Sequence, residues 1–230
     1  DHGTNFGEEM YDWATDLFPI CRSLSGEGVR QTLRYLARLM PELRFHQIES
    51  GAKVFDWTVP KEWNIHEAYI FNEDGEKLID FQDCNLHVVG YSKAIDQWVD
   101  ASELQNHLYS IEEKPDVIPY VTSYYSENWG FCVAHNKRDA FEKGKFRVVI
   151  KSTLEEGFVD YADLIVPGAS DEEILISTYI CHPSMANNEL SGPVVATALA
   201  RYLSSLNNLR YTYRFVFVPE TVGSLIYLSK

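Results

Sequence analysis

Two short segments of the sequence hold side chains that could do chemistry. Ile180–Gly192 places His182 and several amide and carboxyl oxygens directly after an apolar run, and Pro219–Ser224 places Glu220 directly after another. An imidazole nitrogen and carboxylate oxygens are what a hydrolytic zinc ion needs, with water in the open position and a nearby Glu as general base. The two segments therefore indicate a metal-dependent hydrolytic site.

The same residues also allow a purely structural interpretation. In that case His182 caps an edge of the sheet, while Asn187, Asn188 and Ser191 cap the helix that follows, as Asn and Ser often do. Cys181 beside His182 raises a further alternative, a thiol nucleophile. Because adjacent side chains at the end of a strand point apart, we expect Cys181 to be a buried structural thiol instead.

The elements that must position these segments follow from the spacing of apolar residues. Helical spacing dominates within Phe6–Leu43, and near-continuous apolar runs later in the chain alternate with a helix. The predicted later elements are the strands Phe146–Ser152, Glu172–Tyr179 and Tyr211–Val218 and the helix Gly192–Leu203. This alternation predicts an α/β fold, with a mostly parallel sheet sandwiched by helices and ligands at the carboxyl ends of its strands. Such a domain usually has more strands, so we expect the chain to be the N-terminal part of a longer protein, truncated at the C-terminus.

Between these regions the pattern changes to short β-prone pieces, polar turns and most of the aromatic residues. We therefore expect residues 50–145 to form an inserted β-rich subdomain, and residues 1–49 and 146–230 to form the α/β domain. Within the insertion, the Asp74–Gly75 pair predicts the tip of a hairpin. The predicted aromatic core of the insertion consists of Trp57, Trp63 and Trp129. Alternatively, some of the aromatic residues of the insertion border a substrate cleft instead of forming its core, namely Tyr124, Tyr125 and Trp129.

The composition argues against several classes of partner and location. The chain has 230 residues, and 34 Asp and Glu against 20 Lys and Arg give a net charge of −14 without a basic run, which argues against nucleic acid as the main partner. No apolar run approaches the roughly 20 residues that a membrane-spanning helix needs. The N-terminus lacks the basic and apolar parts of a secretory signal, and the four Cys, without a CxxC pair, indicate reduced thiols. We therefore expect a cytoplasmic protein, whose oligomeric state the sequence leaves open.

Two arginines near the N-terminus, Arg22 and Arg30, could bind the carboxylate of a substrate. The planar fork of donors in a guanidinium group suits a two-point contact with a carboxylate. We expect instead that both arginines pair with acidic neighbours on the surface of a helix.

Several longer motifs resemble a known family. Those around the two chemical segments are Ser177–Ser184, Leu190–Gly192 and Phe217–Ser224. Those earlier in the chain are Cys21–Arg30, Asp56–Asn64, Ser123–Tyr125 and Trp129–Cys132. In this order they resemble the bacterial zinc aminopeptidase-like family, whose members have an aminopeptidase-like domain with a β-rich insertion and are related to the bacterial leucyl aminopeptidases.

The resemblance implies a phosphorylase/hydrolase-like α/β fold and a zinc-dependent hydrolase of peptide or amide bonds, acting on a peptide or a small amide. It also implies one or two zinc ions. By resemblance, His182 matches the first metal ligand, Asn188 matches a bridging Asp, and Glu220 matches the region of a Glu pair that includes the general base.

Three departures from the wider aminopeptidase group bear on activity. In the wider group an Asp lies two residues after the His and orients the imidazole. This chain has Ser184 at that position, and the aminopeptidase-like family also has a Ser there. Only one Glu, Glu220, stands where the wider group has a pair. Asn188 offers a neutral oxygen, which is a poor bridge between two cations, so metal affinity falls unless Glu189 compensates.

These departures favour an alternative to the enzyme. The last Asp and His ligands of such sites would lie beyond Lys230, so the fragment is expected to be metal-free or to hold a single, poorly occupied ion near His182. The alternative is a catalytically silent protein with a peptidase fold that binds a peptide or protein partner.

Overall fold

A computed structural model describes residues 6–230 of the chain, and these residues divide into two compact units. The first unit is the described part of Asp1–Glu62 together with Glu156–Lys230, and the second is Trp63–Glu155. The first five residues of the predicted 1–49 segment lie outside the described residues. The second unit begins and ends later along the chain than the predicted insertion, 50–145.

Helices and strands are distributed unevenly between the two units. Within residues 6–230 the α-helices are α1 (Phe6–Leu17), α2 (Glu27–Leu39), α3 (Ala101–Leu104), α4 (Ser191–Ser204) and α5 (Val222–Leu228). The strands are β1 (Arg44–Glu49), β2 (Lys53–Val54), β3 (Trp57–Thr58), β4 (Glu62–Asn72), β5 (Lys77–Asp80), β6 (Ile95–Asp100), β7 (Leu108–Tyr109), β8 (Phe131–Cys132), β9 (Lys145–Glu155), β10 (Phe158–Val166), β11 (Ser170–Tyr179) and β12 (Tyr211–Val218). Among residues 6–230, every helix is too short or too polar to span a lipid bilayer.

The sheet of the first unit is mixed, with the strand order β1-β10-β12-β11. Only β11 and β12 run parallel, whereas β10 is antiparallel to both β1 and β12. The prediction of a mostly parallel sheet was therefore wrong. Its basis was the near-continuous apolar character of the strands, which does not report strand direction.

Helices cover both faces of this sheet, as predicted. Leu164 of β10 and Phe217 of β12 belong to the main core together with Leu33 of α2 and residues of α1 and α4. Because side chains alternate along a strand, Asp163 points to the opposite face. There its carboxylate accepts a hydrogen bond from the hydroxyl of Tyr227 in α5 at 3.2 Å. The helices α1, α2 and α4 thus lie on one face and α5 on the other.

The second unit is built around a sheet with the order β5-β4-β9-β6. The predicted hairpin tip is confirmed, since β4 and β5 pair as antiparallel neighbours across it. Gly75 takes the left-handed conformation there, with φ of +80°. The side-chain oxygen of Asn72 accepts hydrogen bonds from the backbone N–H groups of Asp74 and Glu76, at 3.1 and 2.8 Å, and so closes the turn.

Two sequence-based expectations for this region need correction. The predicted strand Phe146–Ser152 corresponds to β9, but β9 pairs with β6 in the second unit rather than with the strands around the chemical segments. Trp63 and Trp129 are buried as predicted, whereas Trp57 is 37% exposed and lies in the first unit. An apolar or aromatic run predicts a strand, but it does not specify which sheet the strand joins.

Arg30 connects three carboxylates within the first unit. It pairs with Glu27 on its own helix, as expected, but also with Glu62 and Asp160, which are distant in sequence. The distance from Arg30 Nη1 to Asp160 Oδ2 is 3.0 Å, and the Asp160 side chain is only 6% exposed. Burial raises the pKa of Asp160 even though Arg30 and Gln47 favour its charged form. The positive charge of Arg30 therefore balances the negative charge of carboxylates that are partly removed from water.

Replacing this arginine should destabilise the fold. We expect Arg30→Met to lower the free energy of unfolding by about 2–4 kcal/mol, because the carboxylates of Glu62 and Asp160 lose their cation. The control is Arg147→Met, which removes an ion pair with Asp96 that is exposed on both sides and should cost much less stability. Urea denaturation measures both changes, and equal losses would contradict this account.

Candidate metal centre

The parallel pair β11 and β12 brings the two chemical segments to one edge of the sheet. Tyr179 and Val218, the last residues of the two strands, are paired in register. His182 and Glu220 follow within three residues of these ends. His182 Nε2 lies 3.1 Å from Glu220 Oε1. The sequence-based expectation that these side chains lie close together at the carboxyl ends of the strands agrees with this geometry.

The backbone after Glu220 is strained. Thr221, the residue before α5, has a φ of +54°, which is unfavourable for a β-branched side chain. Such conformations cost roughly 1–3 kcal/mol and are concentrated at functional sites. The strained residue lies in the short turn between β12 and α5, directly after Glu220.

Glu189 is the second carboxylate that contacts His182. Its Oε2 lies 3.0 Å from His182 Nδ1, and its side chain is fully buried. Its other oxygen accepts a hydrogen bond from Arg22 Nε at 3.2 Å. Both carboxylate oxygens of Glu189 are therefore engaged with the protein. The sequence analysis considered Glu189 only as compensation for the neutral Asn188, and no spacing rule linked it to Arg22.

Arg22 is buried, contrary to the expectation of a helix-surface ion pair. Its side chain is inaccessible to solvent and donates to the carbonyl oxygens of His182 and Leu17, both at 2.9 Å. It also donates to Thr32 Oγ1, while its Nη2 has no hydrogen-bond partner among the described residues. Burial lowers the pKa of Arg22, and the nearby Glu189 acts in the opposite direction. A sequence cannot show this environment, because the partners are supplied by segments far apart in the chain.

Cys181 also turns toward this site. Its Sγ lies 3.7 Å from His182 Nδ1 and accepts a hydrogen bond from the backbone N–H of Glu220. The expectation that adjacent side chains point apart was therefore wrong, since the chain leaves the regular strand before Cys181. Burial raises the pKa of the Cys181 thiol well above its usual value. The predicted buried thiol is thus observed.

Asn188 lies in a π-helical turn, Ala186–Leu190, that continues directly into α4. Its side chain is exposed, and its carbonyl oxygen accepts a hydrogen bond from the hydroxyl of Tyr179 at 2.8 Å. The capping interpretation was wrong, because no side chain caps α4. The π-helical turn already supplies a carbonyl, that of Ala186, to the N–H of Ser191. Such turns often occur at functional sites.

The charge of the site favours a cation. Burial alone would lower the pKa of His182, but hydrogen bonds and negative charges from Glu189 and Glu220 outweigh burial and raise it. Within residues 6–230, Cys181, His182 and Glu220 form a group whose potential ligand atoms all lie within 4.8 Å of one another. An imidazole nitrogen and a carboxylate oxygen are suitable zinc ligands, so these residues fit part of a zinc coordination shell.

The ion pair between Arg22 and Glu189 should be important for stability. We expect Arg22→Met to lower the free energy of unfolding by about 3–5 kcal/mol, because a buried carboxylate is left without its cation. Adding Glu189→Gln to this variant should recover part of the loss. Arg34→Met, which breaks an exposed ion pair with Glu27, is the matched control and should cost less than about 1 kcal/mol. Thermal and urea unfolding measure these changes, and an Arg22→Met variant as stable as the control would contradict the assignment.

Two solved peptidase structures share the fold at low sequence identity. An M28 peptidase precursor from Shewanella amazonensis is 12% identical, with a TM-score of 0.60 over 97% of this chain and 68% of that chain. A zinc aminopeptidase from Bacillus subtilis is 11% identical, with a TM-score of 0.61 over 96% of this chain and 64% of that chain. At these identities the similarity demonstrates the fold alone.

Two comparisons with Clostridium acetobutylicum proteins show much higher similarity. A protein provisionally named as a polysaccharide biosynthesis protein with an aminopeptidase-like domain is 49% identical over 224 residues, which are 97% of this chain and 51% of that protein. The crystal structure of a provisionally named peptidase is 48% identical, with a TM-score of 0.95 over 98% of this chain and 53% of that chain. The chain thus spans about half the length of these relatives.

The resemblance predicted from the motifs is confirmed at the level of family and fold. The family model described as "Domain of unknown function (DUF4910)" matches residues 11–230, nearly the whole chain. The relatives and solved structures connect this family to aminopeptidase-like domains and to the M28 peptidase fold. The chain belongs to the DUF4910 family.

Proposed function

We propose that this chain forms part of a zinc-dependent hydrolase of peptide or amide bonds, most simply an aminopeptidase. The observation that carries the proposal is the pairing of His182 Nε2 with Glu220 Oε1, 3.1 Å apart, at the carboxyl ends of the parallel strands β11 and β12. The substrate would be a peptide or a small amide. Because all four cysteines are free thiols, we also propose a reducing compartment, the cytoplasm.

The two side chains suit different tasks. His182 is almost fully buried, so it can hold an ion in a fixed position, and Asn188 would provide a neutral oxygen. The side chain of Glu220 is 41% exposed, so water and substrate can reach it. A zinc ion bound here would polarise the scissile carbonyl and lower the pKa of water. Glu220 then accepts the proton of the attacking water and passes it to the leaving amine.

A second function is supported by a specific observation. Asn188 carries no charge, and Glu220 is not followed by a second Glu. With fewer charged ligands, the site would bind metal weakly. The alternative is therefore a catalytically silent peptidase fold that binds a peptide or protein partner at the same edge.

Metal content and turnover distinguish the two functions. We expect elemental analysis to find zinc at partial occupancy, with no more than about one ion per chain. We also expect hydrolysis of aminoacyl anilides, and a loss of activity with a chelator that added zinc reverses. Glu220→Gln should lower kcat by roughly 10²–10⁴-fold with zinc still bound, because it removes the general base. His182→Ala should lose the zinc.

The measurements apply to this chain and to any longer natural form of it. A protein without zinc and without turnover, which nevertheless binds peptides, would support the silent alternative. Activity that a chelator does not change would contradict both proposals.

A negative charge at position 188 should strengthen metal binding. We expect Asn188→Asp to raise zinc occupancy, because a carboxylate is a better ligand for a divalent cation than a neutral amide oxygen. Asn187→Asp is the matched control, since Asn187 is exposed and lies in the same π-helical turn. Zinc titration followed by elemental analysis measures both. Equal occupancy in the parent chain and in Asn188→Asp would show that this position does not govern metal binding.

A further inference from the structure

We infer that Glu189 is a positioning residue for His182. Its carboxylate accepts a hydrogen bond from the Nδ1–H group of the neutral ring, so that Nε2 presents its lone pair toward the exposed side of the site, where Glu220 lies. The inference rests on the proposed function, in which His182 binds zinc. It assigns a role to a buried carboxylate that neither the sequence motifs nor the comparisons with other proteins identify.

The two ring nitrogens of His182 face unequal environments. Nδ1 lies 3.0 Å from Glu189, whose side chain is fully buried, and Nε2 lies 3.1 Å from Glu220, whose side chain is 41% exposed. A neutral imidazole carries one proton, and the nitrogen without the proton is the one that can bind a metal. A fixed, buried acceptor at Nδ1 therefore leaves Nε2 available on the side where an ion can enter.

Arg22 keeps Glu189 in place. Its Nε donates to Glu189 Oε1 at 3.2 Å and to the backbone carbonyl of His182 at 2.9 Å. One guanidinium group thus positions the carboxylate and the main chain of the histidine together. Since Arg22 is fully buried, it also places a positive charge beside the carboxylate that accepts the hydrogen bond from Nδ1.

The ring plane is restrained from a third direction. The ring of Tyr179 meets that of His182 edge to face, with centroids 5.2 Å apart and an interplanar angle of 85°. Ser184, two residues after His182, offers no carboxylate and donates its hydroxyl proton to the carbonyl of Phe18. The orienting carboxylate therefore comes from the π-helical turn that contains Glu189.

Such an arrangement has a known consequence for metal binding. A ligating histidine whose second nitrogen donates to a carboxylate has a fixed tautomer and a more basic ligand nitrogen, and loss of the carboxylate typically weakens metal affinity 10–100-fold. In Glu189→Gln, the single oxygen of the amide would face the Arg22 donor, and the NH₂ group would face Nδ1. The proton of the neutral ring would then move to Nε2, and the lone pair needed for the ion would be lost.

The test combines a tautomer measurement with a metal titration. Long-range ¹H–¹⁵N NMR of histidine-labelled protein without metal should place the proton of neutral His182 on Nδ1 in the parent chain and on Nε2 in Glu189→Gln. Zinc affinity, measured by chelator competition, should fall roughly 10–100-fold in Glu189→Gln. The matched control is Asp163→Asn, because Asp163 is also a buried carboxylate with histidine and arginine partners, His46 and Arg214. It should change neither readout.

Each outcome decides the inference. A proton on Nε2 in the parent chain overturns it, and this measurement needs no variant to fold. An unchanged tautomer in Glu189→Gln, or an equal loss of zinc affinity in Asp163→Asn, also overturns it. If the parent chain binds no zinc, the proposed function fails, while the tautomer measurement still decides whether Glu189 sets the orientation of His182.

Discussion

The buried ion pair between Arg22 and Glu189 is the interaction on which the rest of the site depends. Neither side chain is accessible to solvent, so each charge is stable in the protein only because the other is present. Arg22 comes from the loop between α1 and α2, and Glu189 from the turn before α4. The pair therefore joins the N-terminal helices to the segment that carries His182. Any rearrangement of one segment would leave a buried charge without its partner.

The parallel pairing of β11 and β12 adds a second constraint. Because the two strands end in register, the chain that follows each of them emerges at the same edge of the sheet. His182 and Glu220 thus come together although 38 positions separate them in the sequence. Helix α4 lies between the two strands in the chain and packs into the main core, which completes the crossover that a parallel pair requires. The rest of the sheet can be antiparallel without affecting this edge.

The polar residues of the site become more exposed to solvent from the interior of the protein toward its surface. Arg22 and Glu189 are fully buried, His182 is nearly so, and Glu220 is half-exposed. Polar contacts connect these residues from the interior to the surface. Rigid polar groups in the interior can hold a ligand nitrogen accurately, whereas a base must be reached by water and substrate. The strained backbone at Thr221, next to Glu220, lies at the outer end of this series.

The local features of the fold could be predicted from the order of the amino acids. Apolar periodicity predicted the helix α4 and the strands β11 and β12 nearly to the residue, because their pattern in the sequence is strong. The Asp74–Gly75 pair predicted its hairpin, since turn chemistry is local. The motifs around His182 and Glu220 predicted the family, which the family model confirms.

Three other features emerge only from the folded chain: the direction of β10, the sheet to which β9 belongs and the burial of Arg22. Each of these depends on which distant segment lies alongside, and apolar spacing or charge does not encode that choice. The role of Glu189 illustrates the same limit. Its contacts with His182 and Arg22 bridge 7 and 167 positions, and they arise because a π-helical turn and a loop pack against each other in the folded chain. Buried polar partners are selected by packing, so they become visible only once the chain is folded.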